Sequence, residues 1–498
     1  MQHWDGEEGI RVFYESNGAV MLMDTISSDS ATNLGVAAEA AAALQAAVRK
    51  DPVSAFKANQ NSKGFVLSPS GVWVIDGNNS AASSTVSSPT VLTFQLRLSK
   101  VVDLVTCTSA AVQMHLVTII GLLIPSLSGN AIEALLDHGL VFLLCSLYTV
   151  PPMVQLRTAA IRTTNVLLRF TLQTMDLTNV ASSIVRALLS ADICDVLTQK
   201  ITSFSVGDDS TINKEGLLET LTLLELLSSQ PATKAMISPW GAKSPEVSAT
   251  SSFENTKEYP ISAADLLFVT LTKYARANDD LLNRCMMKIC DSAVHVALHC
   301  TSRSLLLGGT SFVSSCIEIA CDSQVELVAY HAVIFLSCIA YLPAFAQPLI
   351  DSHRHIHLCE RVLLLVLPSA DRTADLSSKR YFHSSADVLL YILYQTAVNS
   401  SLMSETSTVD DDYLLWDAYT LYLTIARSEL LWSSIANLLR GFESEVPFVT
   451  LKIIHILASY KDLDVLEFMW NQLQKFDIPQ LLINLGTSMV CHSHLFSF

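Results

Sequence analysis

The feature that most constrains this chain is an internal repetition with a period close to that of helical repeat proteins. The segments Val112-Gln-Met-His-Leu-Val and Val154-Gln-Leu-Arg-Thr-Ala begin 42 residues apart, and both lead into small and apolar residues at helical spacing. Val325-Glu-Leu-Val-Ala-Tyr opens a third such segment, and the Ala-rich residues 34–48 have a similar character. Repeats of this length stack because one unit cannot bury its apolar face alone. The pattern therefore predicts a stack of helices.

A second element recurs around two glycines. The sequence that starts at Gly9 reaches Gly18 after an apolar helical turn, and the sequence that starts at Ala131 reaches Gly139 in the same way. An apolar run resumes directly after each glycine. Because glycine tolerates unusual dihedral angles and close approach, both positions predict a sharp bend between helices. The run that begins at Leu140 is expected to pack on the helix at 112–123.

Together these elements resemble the helices of armadillo repeats. The pattern is a short first helix, an Ala-rich second helix, and a third helix of the form Ile132-Glu-Ala-Leu-Leu-Asp-His-Gly-Leu-Val-Phe-Leu-Leu. The resemblance covers residues 9–58 and 100–200, and it returns at 310–367. It implies an all-α fold, namely a right-handed α-solenoid of armadillo/HEAT-like repeats with loop insertions. It also implies a concave groove for partner binding and no intrinsic chemistry.

One known function of that family is not carried over. Its nuclear-import adaptors have regular rows of Trp and Asn along the third helices, and this sequence lacks such a ladder. The six tryptophans have no common period: Trp4, Trp73, Trp240, Trp416, Trp432 and Trp470. Recognition of nuclear signals is therefore not predicted.

Composition shifts divide the chain into five segments. Residues 59–90 are rich in Ser and Gly around Gly71-Val-Trp-Val-Ile-Asp, which is consistent with a loop or a small hairpin, and 229–262 contain four prolines. Because the first segment starts inside a repeat, the sequence is expected to be part of a longer protein or an isoform. The predicted segments are armadillo-like repeats at 1–58, an insertion at 59–90, further armadillo-like repeats at 91–228, a flexible linker or insertion at 229–262, and degenerate helical repeats at 263–498.

Charge and composition narrow the classes of partner. Half of the 498 residues are hydrophobic, only 16% are charged, and the formal net charge is −16. No run of Lys and Arg occurs, so the electrostatic attraction that supplies most non-specific affinity for nucleic acid is missing. The predicted partners are other proteins or extended peptides, and nucleic acid is not among them.

The cysteines and the N-terminus indicate a reducing compartment. The sequence contains 11 cysteines, an odd number, and no Cys-x-x-Cys pair. Most of them fall in apolar helical stretches, as reduced and buried cysteines do. The first residues are acidic and lack the basic and apolar regions of a secretory signal. A cytoplasmic location is therefore predicted.

One apolar segment has the length of a membrane span. Residues 327–350 contain no acidic or basic side chain apart from His331. Pro343 and Pro348 break this stretch, and its most apolar part, 327–342, is short. A buried helix of the array is the preferred interpretation, so no membrane span is predicted.

Several clusters could bind a metal or carry catalysis, and for each of them a structural interpretation is preferred. The densest is taken as a polar helix start, and it comprises His353, His355, His357, Cys359 and Glu360. His295, His299 and Cys300, and the pairs Cys285 with Cys290 and Cys316 with Cys321, are taken as core packing. The run Asp410-Asp411-Asp412 is taken as a solvated helix start, and Gly308-Gly309 as a simple glycine pair.

No phosphate-binding, dinucleotide-binding or nucleophile-elbow motif occurs in the sequence. No catalytic, cofactor-binding or metal site is therefore assigned, and no cofactor is expected. The predicted function is a non-catalytic protein–protein interaction scaffold or adaptor that binds a partner along a helical-repeat groove. The alternative is an enzyme or exchange factor built on an α-solenoid, with active loops in the insertions at 59–90 or 229–262.

Overall fold

The computed structural model divides the chain into two compact units, Met1–Pro239 and Trp240–Phe498, and the division lies inside the segment 229–262. The structure describes the following residues: 12–13, 18–29, 33–50, 65–67, 73–75, 102–103, 105–106, 109–149, 153–206, 213–230, 264, 267–268, 271, 279–299, 311–340, 354, 357–359, 361–362, 388–390, 392–393, 412–440 and 446–485.

The first unit is built from nine described helices. They are α1 (Gly18–Asp29), α2 (Leu34–Lys50), α3 (Ala110–Leu123), α4 (Gly129–Asp137), α5 (Leu140–Thr149), α6 (Val154–Gln173), α7 (Thr178–Ser190), α8 (Ile193–Val206) and α9 (Lys214–Ser228). Short 3-10 turns, Ile124–Ser126 and Met175–Leu177, follow α3 and α6.

Two short strands lie in the predicted insertion 59–90. Strand β1 (Phe65–Leu67) pairs antiparallel with β2 (Trp73–Ile75), and Val66 lies opposite Val74. Of the two interpretations of this region, the small β element is the one the structure has. Elsewhere in the described residues the regular secondary structure is helical, so the predicted helical class is confirmed.

Helices of the first unit pack both on the next helix in the chain and on helices three further along. Helix α1 packs on α2, α2 on α3, α3 on α6, and α6 on α9. We call α2, α3, α6 and α9 the helix row. On the other side of the core, α4 and α5 pack on α7, and α7 packs on α8. The interior between them is apolar and includes Leu116, Ile120, Leu167 and Leu188, all fully buried.

The three repeat segments that begin with Val lie at helix starts. Helix α6 begins at Val154, α3 begins two residues before Val112, and the helix Glu326–Ile339 of the second unit begins directly after Val325. Side chains outside the repeat signals cap other helices. Ser128 accepts a hydrogen bond from the backbone N–H of Ala131 at the start of α4, which satisfies one of the free donors of that turn.

The bend predicted at Gly139 is confirmed. Helices α4 and α5 meet at an angle of 61°, and Gly139 between them has a φ of +82°, a value that L side chains rarely adopt. At Gly18 the structure shows the close approach that was also expected of these glycines, because a Cβ there would collide with the Phe13 side chain.

Leu140 is fully buried. The prediction of the helix on which its run packs was wrong in part. The structure packs α5 chiefly on α6 and α7, whereas the sequence led us to expect α3. The physical reason is that α3 and α5 both pack on α6. The repeat spacing shows which helices correspond along the sequence, but it does not show which helix lies between two others.

Seven helices lie in the described part of the second unit. They are α10 (Asp280–His299), α11 (Ser311–Asp322), α12 (Glu326–Ile339), α13 (Asp412–Arg427), α14 (Glu429–Arg440), α15 (Val446–Ser459) and α16 (Leu463–Lys475). Helix α12 packs on α10 and α11, whereas α16 packs on α13, α14 and α15. The buried rings of Phe268, Phe312 and Phe335 lie edge to face, with successive centroids 4.6 and 4.8 Å apart.

Helix α12 is the apolar segment that had the length of a membrane span. It has only 14 residues, and its central side chains, among them Val333 and Phe335, are buried in the second unit. Residues 341–350 lie outside the described part. Within the described ranges no single helix is both long and apolar enough to cross a membrane, and only the bent pair α4 and α5, taken together, meets the length and composition of a span.

Candidate functional surface

Polar side chains join the helices of the row, and the first of these joins lies between α2 and α3. The Nδ1 atom of His115 is 2.5 Å from the Oε1 atom of Gln45. Both side chains are half-buried. Burial lowers the pKa of His115 because a charged imidazole loses its hydration there. The ring therefore acts as a neutral hydrogen-bonding group near neutral pH.

The second join lies between α3 and α6. The hydroxyl of Thr163 donates a hydrogen bond of 3.0 Å to the backbone carbonyl of Val117. Both residues are buried. A side chain on α6 thus holds the backbone of α3 in register, which fixes the distance between the two helices.

The third join, between α6 and α9, is the most extensive. Arg162 donates from Nε to Glu219 Oε1 at 2.8 Å and from a terminal nitrogen to Glu215 at 3.4 Å. The hydrogen bond to Glu219 is the main reason that the pKa of Arg162 is raised. One turn further along α6, Asn165 Nδ2 donates to both the backbone carbonyl and the carboxylate of Glu219, each at 2.8 Å. Glu219 is thereby held by two side chains of α6.

One atom of this join has no hydrogen-bond partner among the described residues. It is Oδ1 of Asn165, a residue that is only 3% exposed. Rotating the amide by 180° would not help, because Oδ1 would then face the carbonyl and carboxylate oxygens of Glu219. The amide orientation is therefore fixed, and a buried acceptor remains that a donor could satisfy.

Further hydrogen bonds connect α9, and Asn213 directly before it, to α5 and α6. Asn213 accepts from the backbone N–H of Gly216 and donates to the hydroxyl of Thr158 at 3.0 Å. The hydroxyls of Tyr148 and Thr220 are also 3.0 Å apart, and burial raises the pKa of Tyr148. These groups are satisfied within the protein, so we regard them as structural.

The histidine cluster that the sequence singled out is described only in part. His357 lies 3.9 Å from Asp322 at the end of α11, and Cys359 is buried. His353, His355 and Glu360 lie outside the described residues. Arg354 also pairs with Asp322, and Arg361 donates to the carbonyl of Ser323. Within the described ranges, no group of three His, Cys, Asp or Glu side chains is arranged to hold a metal ion.

The other sequence candidates lie mainly in helices. Cys285, Cys290, Cys316 and Cys321 are all buried, which confirms the expected core packing. Burial raises the pKa of the Cys285 and Cys321 thiols to about 12, so both are protonated at neutral pH. Helix α13 begins at Asp412, as expected of the acidic run.

Three further candidates are described only in part or not at all. His295 lies on α10, and His299, the last residue of that helix, has no described side chain. Cys300 and Gly308-Gly309 lie outside the described residues.

Sequence reasoning missed the residues that make the joins. Asn165 lies 54 positions from Glu219, and His331 lies 40 positions from Asp291, its partner at 2.6 Å across α10 and α12. Neither pair belongs to a local motif. The only local signal was that Asn165 lies four residues after Ile161 and three before Leu168, on an apolar side of the helix where a buried amide requires a partner.

Comparison with known proteins does not assign the chain to a family. No protein-family model matches it, and no curated protein matches it. Among solved structures, two crystal structures of engineered proteins, both targets of the Northeast Structural Genomics Consortium, are similar over 58% of this chain. They share 16% and 15% sequence identity, they are covered over 96% and 98% of their own chains, and both have a TM-score of 0.39. At that TM-score the likeness carries no argument.

Proposed function

We propose that this protein is a non-catalytic interaction scaffold or adaptor of the armadillo/HEAT-like kind, whose helix row binds an extended peptide segment of a partner protein. The observation that carries the proposal is the buried Oδ1 atom of Asn165, which has no partner among the described residues, near the half-exposed side chain of Arg162 and the largely buried Glu219. An extended peptide offers a backbone N–H at regular spacing, which is the donor that this acceptor lacks once α6 and α9 open slightly to admit it.

The packing of the first unit supports the same proposal. Each repeat of a solenoid contacts mainly its neighbouring repeats, and in the row α3, α6 and α9 pack one on the next at intervals of three helices. A right-handed solenoid would place the exposed sides of α3, α6 and α9 next to each other on one elongated face. The side chains of Arg162 and Glu215, both at least half exposed, would then lie on that face.

Chemistry of the described residues favours binding over catalysis. The side chains with clearly shifted pKa values in the first unit are buried or form hydrogen bonds within the fold, as His115, Tyr148 and Arg162 do. We place the protein in the cytoplasm, in keeping with the free thiols of its described cysteines.

Peptide display tests the proposal directly. The purified chain is used to select from a library of random linear peptides, and the binding of an enriched, labelled peptide is then measured by fluorescence anisotropy. Asn165→Leu is expected to weaken that binding about tenfold, because the N–H of the peptide loses its acceptor. The matched control is Asn179→Leu on α7, which lies outside the row and is exposed.

Two outcomes would overturn the proposal. One is the absence of any enriched peptide, and the other is equal affinity of wild type and Asn165→Leu for every enriched peptide. Circular dichroism and melting temperature of both variants show whether a loss of binding comes from unfolding instead. A variant that melts far below the wild type is replaced by Asn165→Ser, which keeps a short polar side chain.

A further inference from the structure

Two neighbouring helices of the second unit present large apolar side chains to solvent. On α15, Phe448 is 62% exposed and Leu451 is 54% exposed. On α16, Leu463 is 82% exposed and Trp470 is 53% exposed. The spacing of three residues on α15 and of seven on α16 places each pair on one side of its helix. Side chains of this size, grouped in this way, are typical of a surface that another protein covers.

The charges beside these apolar side chains have opposite signs on the two helices. Lys452 is exposed on α15, with its Nζ atom 4.2 Å from the centroid of the Phe448 ring. His455, one turn further on, is also exposed. On α16, Glu467 is exposed and lies between Leu463 and Trp470 along the same side. The α15 face is therefore apolar and basic, and the α16 face is apolar and acidic.

The two faces also match in length and spacing. Lys452 follows Phe448 by four residues, and Glu467 follows Leu463 by four residues. At a rise of about 1.5 Å per residue, the stretches 448–455 and 463–470 each span about 10 Å. If they are laid side by side in opposite directions, Glu467 lies near Leu451 and Lys452, and Trp470 lies near Phe448. The faces are thus complementary in charge, in apolar content and in register.

From this complementarity we propose that a second copy of this chain covers both faces. In a two-fold symmetric dimer, the α15 face of each copy contacts the α16 face of the other, so the arrangement closes on itself. Lys452 of each copy pairs with Glu467 of the partner subunit, and Trp470 is the central apolar anchor, a role that Trp often has at interfaces. This dimer surface lies in the second unit and is independent of the peptide-binding proposal, which concerns the first.

Sedimentation equilibrium of the purified full chain over a wide concentration range tests for the dimer. Wild type is expected to show a reversible monomer–dimer equilibrium. Trp470→Ser is expected to weaken the association about 30-fold, because truncating a central aromatic anchor removes most of the apolar contact. Since Trp470 is half-exposed in the single chain, far-UV circular dichroism of the variant is expected to match the wild type.

A charge exchange makes the test specific for the proposed pairing. Lys452→Glu alone and Glu467→Lys alone each place like charges together twice per dimer, and each is expected to be mostly monomeric. An equimolar mixture of the two single variants is expected to dimerise again, because both contacts of the mixed dimer then join opposite charges. Glu318→Lys, on the exposed side of α11, is the matched control and is expected to dimerise like wild type.

Three results would overturn the proposal. The first is a monomeric wild type at every concentration, which would leave the faces to a different protein. The second is a wild-type dimer that Trp470→Ser does not weaken. The third is a mixture of the charge variants that stays as monomeric as each variant alone, which would show that Lys452 and Glu467 are not paired across the contact.

Discussion

The helix row of the first unit and the pair α15 and α16 of the second use their side chains in opposite ways. In the row, polar side chains such as Thr163 and Asn165 are buried between helices, where they bond to the backbone or carboxylate of the neighbour. In α15 and α16, large apolar side chains such as Phe448 and Leu463 point to solvent. Buried polar groups are costly unless they are paired, so they specify one arrangement of helices. Exposed apolar groups leave a surface that a partner can cover.

The largest expected effect comes from the apolar core of the first unit. Leu140→Asp buries a carboxylate without a partner and is expected to destabilise that unit by about 5 kcal/mol. Phe142→Asp, two residues further along the same helix, is the control, because Phe142 is exposed and the change should lower stability by less than about 1 kcal/mol. Thermal or urea unfolding followed by circular dichroism measures both. Equal melting of wild type and Leu140→Asp would show that α5 is placed wrongly.

Two tryptophans sharpen the comparison within the second unit. Trp432 is fully buried and donates from Nε1 to the carbonyls of Ile425 and Ala426 at 3.2 and 3.3 Å. Trp432→Ala is expected to lower the free energy of unfolding by about 4 kcal/mol, through the cavity and the lost hydrogen bonds. Trp470→Ala should lower it by less than about 1 kcal/mol in the monomer. The check is urea denaturation at a concentration where the protein is monomeric, and similar losses for both variants would contradict the burial difference.

Asn165 provides a test of the polar join that depends on pH. Asn165→Asp replaces a donor by a carboxylate next to Glu219, and it is expected to destabilise the first unit by about 2 kcal/mol at pH 7. Burial and the neighbouring carboxylate would raise the pKa of the introduced group in the folded state. Its protonated form is then favoured by folding, so the deficit relative to wild type shrinks as the pH falls through that raised pKa and grows as the pH rises.

Melting temperatures of wild type and Asn165→Asp between pH 4 and 8 show this dependence. Asn165→Ala, measured beside them, lacks a titratable group and should show a deficit that does not change with pH in the same way. A constant deficit for Asn165→Asp would mean that the side chain at this position is not held against Glu219.

The smallest expected effect compares two ion pairs. Lys475 and Glu429 are 2.7 Å apart and both are more than half exposed, so Lys475→Met should change stability by less than about 0.5 kcal/mol. Arg162 contacts the largely buried Glu219 in the row, and Arg162→Met should lower stability by about 1 kcal/mol. Unfolding curves at low and high salt separate the two, because the exposed pair is screened more strongly. A larger loss of stability for Lys475→Met than for Arg162→Met would contradict the expected difference between the row and the second unit.

The sequence by itself determined the helical class and the bend at Gly139, and it narrowed the piece at 71–76 to a loop or a small hairpin. These depend on local properties: apolar spacing at the helical period, β-branched and aromatic residues between turn residues, and the conformational freedom of glycine. The buried cysteines could be predicted for the same reason, since a thiol at helical spacing with apolar residues behaves as a small hydrophobic side chain and packs inside.

Tertiary structure alone decided which helices touch and which atoms remain unpaired. Three features depend on residues far apart in the chain or on what covers a surface. Helix α5 packs on α6, Asn165 and Arg162 both bind Glu219, and Trp470 is exposed. Apolar periodicity tells which side of a helix is buried, but not the neighbour that buries it. The sequence alone therefore does not tell whether a tryptophan or an asparagine lies in the core, as Trp432 does, or is exposed at the surface, as Trp470 is.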